Sequence, residues 1–197
     1  MSYIRFFHAC TEWEEVAVYV GGMPVTRQLA YGESTPHFLM GSGQTLIRIE
    51  EKGQVRMQHH VIIPRDQAFT IALVCRGGIP EIVPIAEDGK AASGGMSGVR
   101  VVCLSENDQT LELWRRARQQ EELLFSEVQQ GDVSEYVQLE AGEHRWELRE
   151  AGATISMLPG QQTADTKLHS LYLIGRGDPD EEQRPLVLRM MQDVTMA

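Results

Sequence analysis

Along most of this chain the apolar positions recur with a period of two. Val16, Val18 and Val20 alternate with Ala17 and Tyr19, and Ile71 and Leu73 alternate with Ala72 and Val74. Leu111/Leu113, Trp146/Leu148 and Leu171/Leu173 show the same spacing further on. Successive side chains of a strand point to opposite faces, so this period predicts strands that turn one face to a core. The runs are short, β-branched or aromatic, and closed by Gly, Pro or Asp. Gly21-Gly22 and Gly77-Gly78 mark hairpin or loop points. Many short strands at turn-rich spacing predict an all-β protein built as sandwiches of about seven strands per domain.

The pattern is written twice. Ile4-Arg5-Phe6-Phe7-His8 returns as Val99-Arg100-Val101-Val102-Cys103, and Val16-Ala17-Val18-Tyr19 as Leu111-Glu112-Leu113-Trp114, both at an offset of 95 residues. Gly32 to Phe38 matches Gly131 to Val137 at an offset of 99, and Phe69 to Gly77 matches His169 to Gly177 at 100. A period this long predicts two tandem domains rather than a short-repeat solenoid. Their expected extents are 1–88 and 99–197, joined by a small-residue linker over 89–98.

One segment speaks for a different element. Arg115 to Gln130 consists largely of good helix formers, with Leu124 and Val128 spaced four apart. Its partner in the first copy, Gly21 to Tyr31, contains Gly-Gly and Pro24 and reads as a turn into a strand. Duplicated domains keep their topology, which favours a lengthened hairpin over a helix.

Composition narrows the function classes. The chain has 197 residues, 42% of them hydrophobic and 23% charged, an ordinary globular balance. A formal net charge of −10 speaks against nucleic acid, whose phosphates need a Lys/Arg excess. No apolar stretch reaches the length of a membrane span, and no export signal opens the chain, so the expected location is cytoplasmic, with spore or envelope association as the alternative. Cys10 and Cys103 do not align between copies and Cys75 matches Gly175. All three cysteines are therefore expected to be small apolar residues or free thiols in a reducing compartment.

Several residues carry a family resemblance: Ile4-Arg5-Phe6-Phe7-His8-Ala9, then Val16 to Gly22, then Leu29-Ala30-Tyr31-Gly32-Glu33, with Gly41-Ser42-Gly43-Gln44 as a later turn. These resemble the bacterial domain of unknown function 4397. The second copy keeps Arg100, Gly131 and Ala141-Gly142-Glu143 but has Cys103-Leu104 in place of His-Ala. The resemblance implies tandem immunoglobulin-like β-sandwiches, often of surface or secreted proteins, and no enzymatic activity.

Candidate chemistry is sparse. His8 reads as a residue that satisfies buried backbone groups near a turn, since the second copy does without it. His59 and His60 are adjacent, so on a strand they point to opposite faces and do not chelate together. Ser42 and Ser97 lie beside glycines but outside a Gly-x-Ser-x-Gly nucleophile turn. Gly41/Gly43 and Gly175/Gly177 lack the following helix of a phosphate cradle. Arg176-Gly177-Asp178 reads as a strand-end turn rather than an adhesion motif, and Asp178 to Glu182 as a solvated acidic loop rather than a calcium site. Trp114 and Trp146 align with Tyr19 and Ile47 and read as packing residues. Trp13, set among Glu12, Glu14 and Glu15, is the candidate for an exposed partner contact.

The expectation is a non-enzymatic structural or protein-interaction protein that needs no catalytic residue, metal or cofactor. It would bind a protein partner or itself through strand edges or the groove between domains. The alternative is a module for carbohydrate or cell-wall polymer.

Overall fold

The computed structural model describes residues 1–107, 109–177 and 184–195. Every described element is a strand, and the strands divide into two units, Met1–Asp88 and Gly89–Thr195. The first holds β1 (Ser2–His8), β2 (Glu15–Val20), β3 (Met23–Ala30), β4 (Phe38–Met40), β5 (Gly43–Glu51), β6 (Gln54–Ile63), β7 (Ala68–Arg76) and β8 (Ile79–Ala86). The second holds β9 (Met96–Cys103), β10 (Leu111–Ala117), β11 (Gln120–Val128), β12 (Val137–Glu140), β13 (Gly142–Glu150), β14 (Ala153–Thr163), β15 (Leu168–Ile174) and β16 (Val187–Asp193). Among the described residues each unit has eight strands, one more than the periodicity predicted.

Both units stack two four-stranded sheets in the same order. In the first they run β4-β1-β7-β8 and β3-β2-β5-β6, and in the second β12-β9-β15-β16 and β11-β10-β13-β14. Most pairings are antiparallel, but β1 runs parallel to β7 and β9 parallel to β15. Parallel neighbours require a long crossover, so β2 to β6 all lie between the two central strands of one sheet. The lengthened hairpin is present: β10 and β11 pair antiparallel out to Ala117 opposite Gln120, and no helix forms over 115–130. Helix-forming side chains yield here because Phe125 and Val128 pack on the core from the paired strand.

Ile4, Phe6, Val16, Val18, Ile47, Ile49, Ile71 and Leu73 form the first core, and Trp146, Leu111, Leu113, Leu148, Leu171 and Leu173 anchor the second. Part of the segment expected to be a linker is strand, since β9 begins at Met96. Gly98 seats Leu168, and a side chain at Gly98 would collide with it, so this glycine serves close packing.

Cysteine usage departs from the sequence expectation. Cys10 and Cys75 form a disulfide, and Cys103 alone is a free, buried thiol. The parallel register explains the pairing: His8 lies opposite Leu73, and the next residues of like facing are Cys10 and Cys75. Comparing one copy with the other could not show a bond made within a single unit. Desolvation pushes the Cys103 thiol above its ordinary value, which keeps it protonated.

Two outcomes are expected. Because the disulfide closes a loop of 65 residues, Cys10→Ser should lower stability by about 2–5 kcal/mol, read from denaturant unfolding of oxidised protein. His144 and His169 are buried, and burial depresses both imidazole pKa values. The unfolded chain therefore takes up protons first as pH falls. The second unit should lose stability below pH about 6.5, by at most about 1.4 kcal/mol per pH unit for each histidine. Melting scans at stepped pH check this, and His144→Gln should flatten the slope.

Candidate functional site

Each unit holds a cluster of buried charge on an arginine whose strand neighbours on either side face the core. In the first unit Arg5 on β1 lies directly beside Thr70 on β7. Arg5 Nε donates to Thr70 Oγ1 at 2.7 Å, and the same hydroxyl donates to Glu87 Oε1 at 2.7 Å. Arg5 also pairs with Glu87 at 3.2 Å, and His37 Nε2 reaches both carboxylate oxygens at 3.1 Å. The second unit repeats the arrangement with other residues. Arg100 Nε donates to Ser170 Oγ at 2.8 Å, Ser170 Oγ donates to Asp193 Oδ2 at 2.5 Å, and Tyr136 OH donates to Asp193 Oδ2 at 2.7 Å. Arg100 also lies over the Tyr136 ring, 4.6 Å from its centroid. Burial first, then the Asp193 charge, raises the Tyr136 pKa far above the ordinary phenol value, so Tyr136 is a donor here and not a base.

These two clusters are clamps. Each joins the parallel central strands, and the arginine, hydroxyl and carboxylate answer one another without a substrate. Sequence reading missed them as sites, although Arg5/Arg100 and Thr70/Ser170 were polar matches inside apolar repeated blocks.

An accessible feature lies elsewhere in the first unit. β6 is an edge strand, paired only with β5. Its last seven residues, Met57 to Ile63, contain neither proline nor a formally charged side chain. Other long edges are interrupted: β8 carries Pro80 and Pro84, β14 carries Pro159, and β11 carries Glu121, Glu122 and Glu127. Ile62 is 80% exposed and Val55 49%. Beside this edge a cleft of about 350 Å³ enters the sandwich, lined by Val61, Ile63, Phe69, Ile71, Ile82 and the exposed His59. In the second unit β14 packs against β16, and Leu158 and Met190 add to the core.

The sequence candidates fall as follows. His8 is buried and its Nδ1 accepts from the Cys10 backbone N–H at 3.3 Å. His59 and His60 pair with Ile47 and Leu46, so they point to opposite faces of β6. Ser97 is buried on β9, while Ser42 is exposed beside β5. Trp146 is fully buried, and Trp114 lies beneath Arg149, whose guanidinium is 4.5 Å from the ring centroid. Trp13 is half-buried and packs on the first core, so only part of its ring is open to a partner. Asp178 to Glu182, which hold the expected acidic loop and the end of the Arg-Gly-Asp tripeptide, lie outside the described residues. Among the described residues no group of three or more His, Cys, Asp and Glu is placed to hold a metal ion. Among them, too, no helix is long and apolar enough to cross a membrane.

The family model for a domain of unknown function, DUF4397, matches residues 2–114. The chain belongs to the DUF4397 family. The DUF4397 match covers the first unit and runs on to the middle of β10. No curated protein matches the chain. Among solved structures, a family CBM26 carbohydrate-binding module from Eubacterium rectale, in complex with maltoheptaose, is 10% identical with a TM-score of 0.32, covering 98% of this chain and 97% of that one. A streptococcal virulence factor that binds alpha-glucan is 12% identical with a TM-score of 0.29, covering 92% of this chain and 95% of that one. At such low scores neither likeness bears on what this DUF4397 member does.

The clamp yields its own test. Glu87→Ala would leave the buried Arg5 without this carboxylate and is expected to cost about 3–5 kcal/mol in chemical denaturation. Thr70→Ser keeps the bridging hydroxyl and should cost much less.

Proposed function

We propose that this DUF4397 member is a non-catalytic interaction protein that captures an extended, apolar-rich segment of a partner protein along β6. The unguarded edge with its adjoining apolar cleft carries this reading. Edge strands in stable proteins are ordinarily blocked by proline, charge or cover, and one left open is a template for strand addition. A segment laid along β6 gains backbone hydrogen bonds from the free edge. Alternate side chains of that segment would fill the cleft lined by Phe69, Ile71 and Ile82.

The second unit, in this reading, is a diverged copy of the same family domain, and both units are immunoglobulin-like. The common strand order and the repeated Arg–hydroxyl–carboxylate clamp support common descent. The Cys10–Cys75 bond supports assembly in an oxidising compartment, which favours an envelope-associated place over the cytoplasm. A role for Trp13 in partner contact belongs to the same proposal, through the exposed part of its ring.

Backbone amide exchange provides the test. A peptide of alternating valine and glutamate, added to the whole protein, should slow exchange in β6 and leave β8 unchanged. Ile62→Lys should weaken that binding by about tenfold, since burying its apolar side chain is worth about 1.5–3 kcal/mol. Protection that appears elsewhere, or is indifferent to Ile62→Lys, rejects strand capture. A concentration-dependent dimer that already protects β6 without peptide would make a second copy of the chain the occupant, and would reject the heterologous partner.

A further inference from the structure

The longer hairpin of the second unit forms one side of a groove with three arginines in its lining. In the first unit β2 turns at Gly21-Gly22, with Val20 opposite Met23. In the second the hairpin runs on past the matching pair, Arg115 opposite Glu122, to Arg116 opposite Glu121 and Ala117 opposite Gln120. The extension overhangs the turn at Glu140-Ala141-Gly142, which matches Gly41-Ser42-Gly43 of the first copy. Between them lies a groove of about 710 Å³, whose lining includes Arg116, Arg118, Arg145, Glu140, Glu143 and His144.

Four observations suggest that this groove is built for a ligand. Arg116 lies directly opposite Arg145 across the β10–β13 pair, an arrangement of like charges that destabilises a sheet. Arg145 directs Nε at the Met157 sulfur, 2.8 Å away, and a thioether is a weak acceptor. The carboxylates near this arginine pair are largely engaged. Glu147 is 3.9 Å from both Arg116 and Arg145 but binds Arg149 at 2.7 Å, and Glu121 is 3.6 Å from Arg116. Finally, Arg118 stands at the hairpin tip, and among the described residues no carboxylate pairs with it.

The floor and rim define what else the ligand must offer. His144 is 3% exposed, and its Nε2 lies 2.9 Å from the Glu140 carbonyl oxygen. A carbonyl only accepts, so Nε2 carries the proton and Nδ1 is an acceptor, buried without a partner. Glu140 and Glu143 supply two more acceptors, and Glu143 crosses Gly160, where any side chain would collide with it. Those carboxylates repel a bare polyanion such as phosphate. They suit a molecule that carries hydroxyl donors together with a carboxylate.

We propose that this groove binds an acidic saccharide, a uronic-acid unit of a polysaccharide. The guanidinium forks of Arg116, Arg118 and Arg145 take the sugar carboxylate, and Glu140 and Glu143 accept from its ring hydroxyls. The site lies wholly within the second unit and does not rest on strand capture by β6.

Calorimetric titration of the whole protein tests it with three probes: oligogalacturonate, its methyl ester, and inorganic phosphate. Binding of the acid oligomer alone is expected. Arg118→Ala and Arg145→Ala should each weaken it about tenfold, the loss of one charge-assisted hydrogen bond. Arg118→Ala sits at an exposed turn, so its unfolding midpoint should not fall, and Ile62→Lys should leave sugar affinity unchanged. Equal affinity for the ester, phosphate binding as tight as the oligomer, no binding of the oligomer, or indifference to both arginine variants would each overturn the assignment.

Discussion

The parallel pairing of the two central strands is the constraint on which the architecture depends. β1 and β7, like β9 and β15, lie side by side although most of a unit separates them in sequence. Nothing local brings them together, because no hairpin joins them. The register is fixed by apolar residues on the core face and by the arginine–hydroxyl–carboxylate bridge on the other. A slip of one residue would turn every side chain of the strand to the wrong face, separating the guanidinium from its hydroxyl and the core residues from the core. The same register brings the two disulfide cysteines together.

With that frame in place, the two units close their open sides differently. The second brings β14 against β16 and fills the gap with Leu158 and Met190. The first leaves a cleft beside β6. It also clamps the start of β6: Arg56 holds the Glu51 carboxylate through bonds of 3.1 and 2.7 Å, and this lowers the Glu51 pKa. Polar anchoring at one end and a bare apolar strand at the other is a division of labour within ten residues.

Much of the fold was legible in the sequence. Period-two runs such as Val16 to Val20 and Ile71 to Val74 marked strands, and the glycine pair at Gly21-Gly22 marked a turn. The hairpin at Arg115 to Gln130 was readable only through its counterpart, because its own residues favour a helix and tertiary packing overrides them. The strand count fell short because β4 has three residues and too little pattern to register. The disulfide and the clamps were hidden for a common reason. Both join positions about 65 residues apart, through a parallel register that no local spacing reveals. Trp13 drew attention through its acidic neighbours, yet its ring turns partly toward the core. The arginines of the second hairpin were read only for their helix propensity, since charge on a strand acquires meaning from what lies across the sheet.

The lengthened hairpin has a consequence for how such scaffolds change. Its four added residues sit beyond the last core-packing pair, so they can vary without disturbing the sandwich beneath them. The two units share a strand order, yet the first tip is short and glycine-rich while the second is longer and charged. Change is tolerated at the periphery, where no core side chain depends on it.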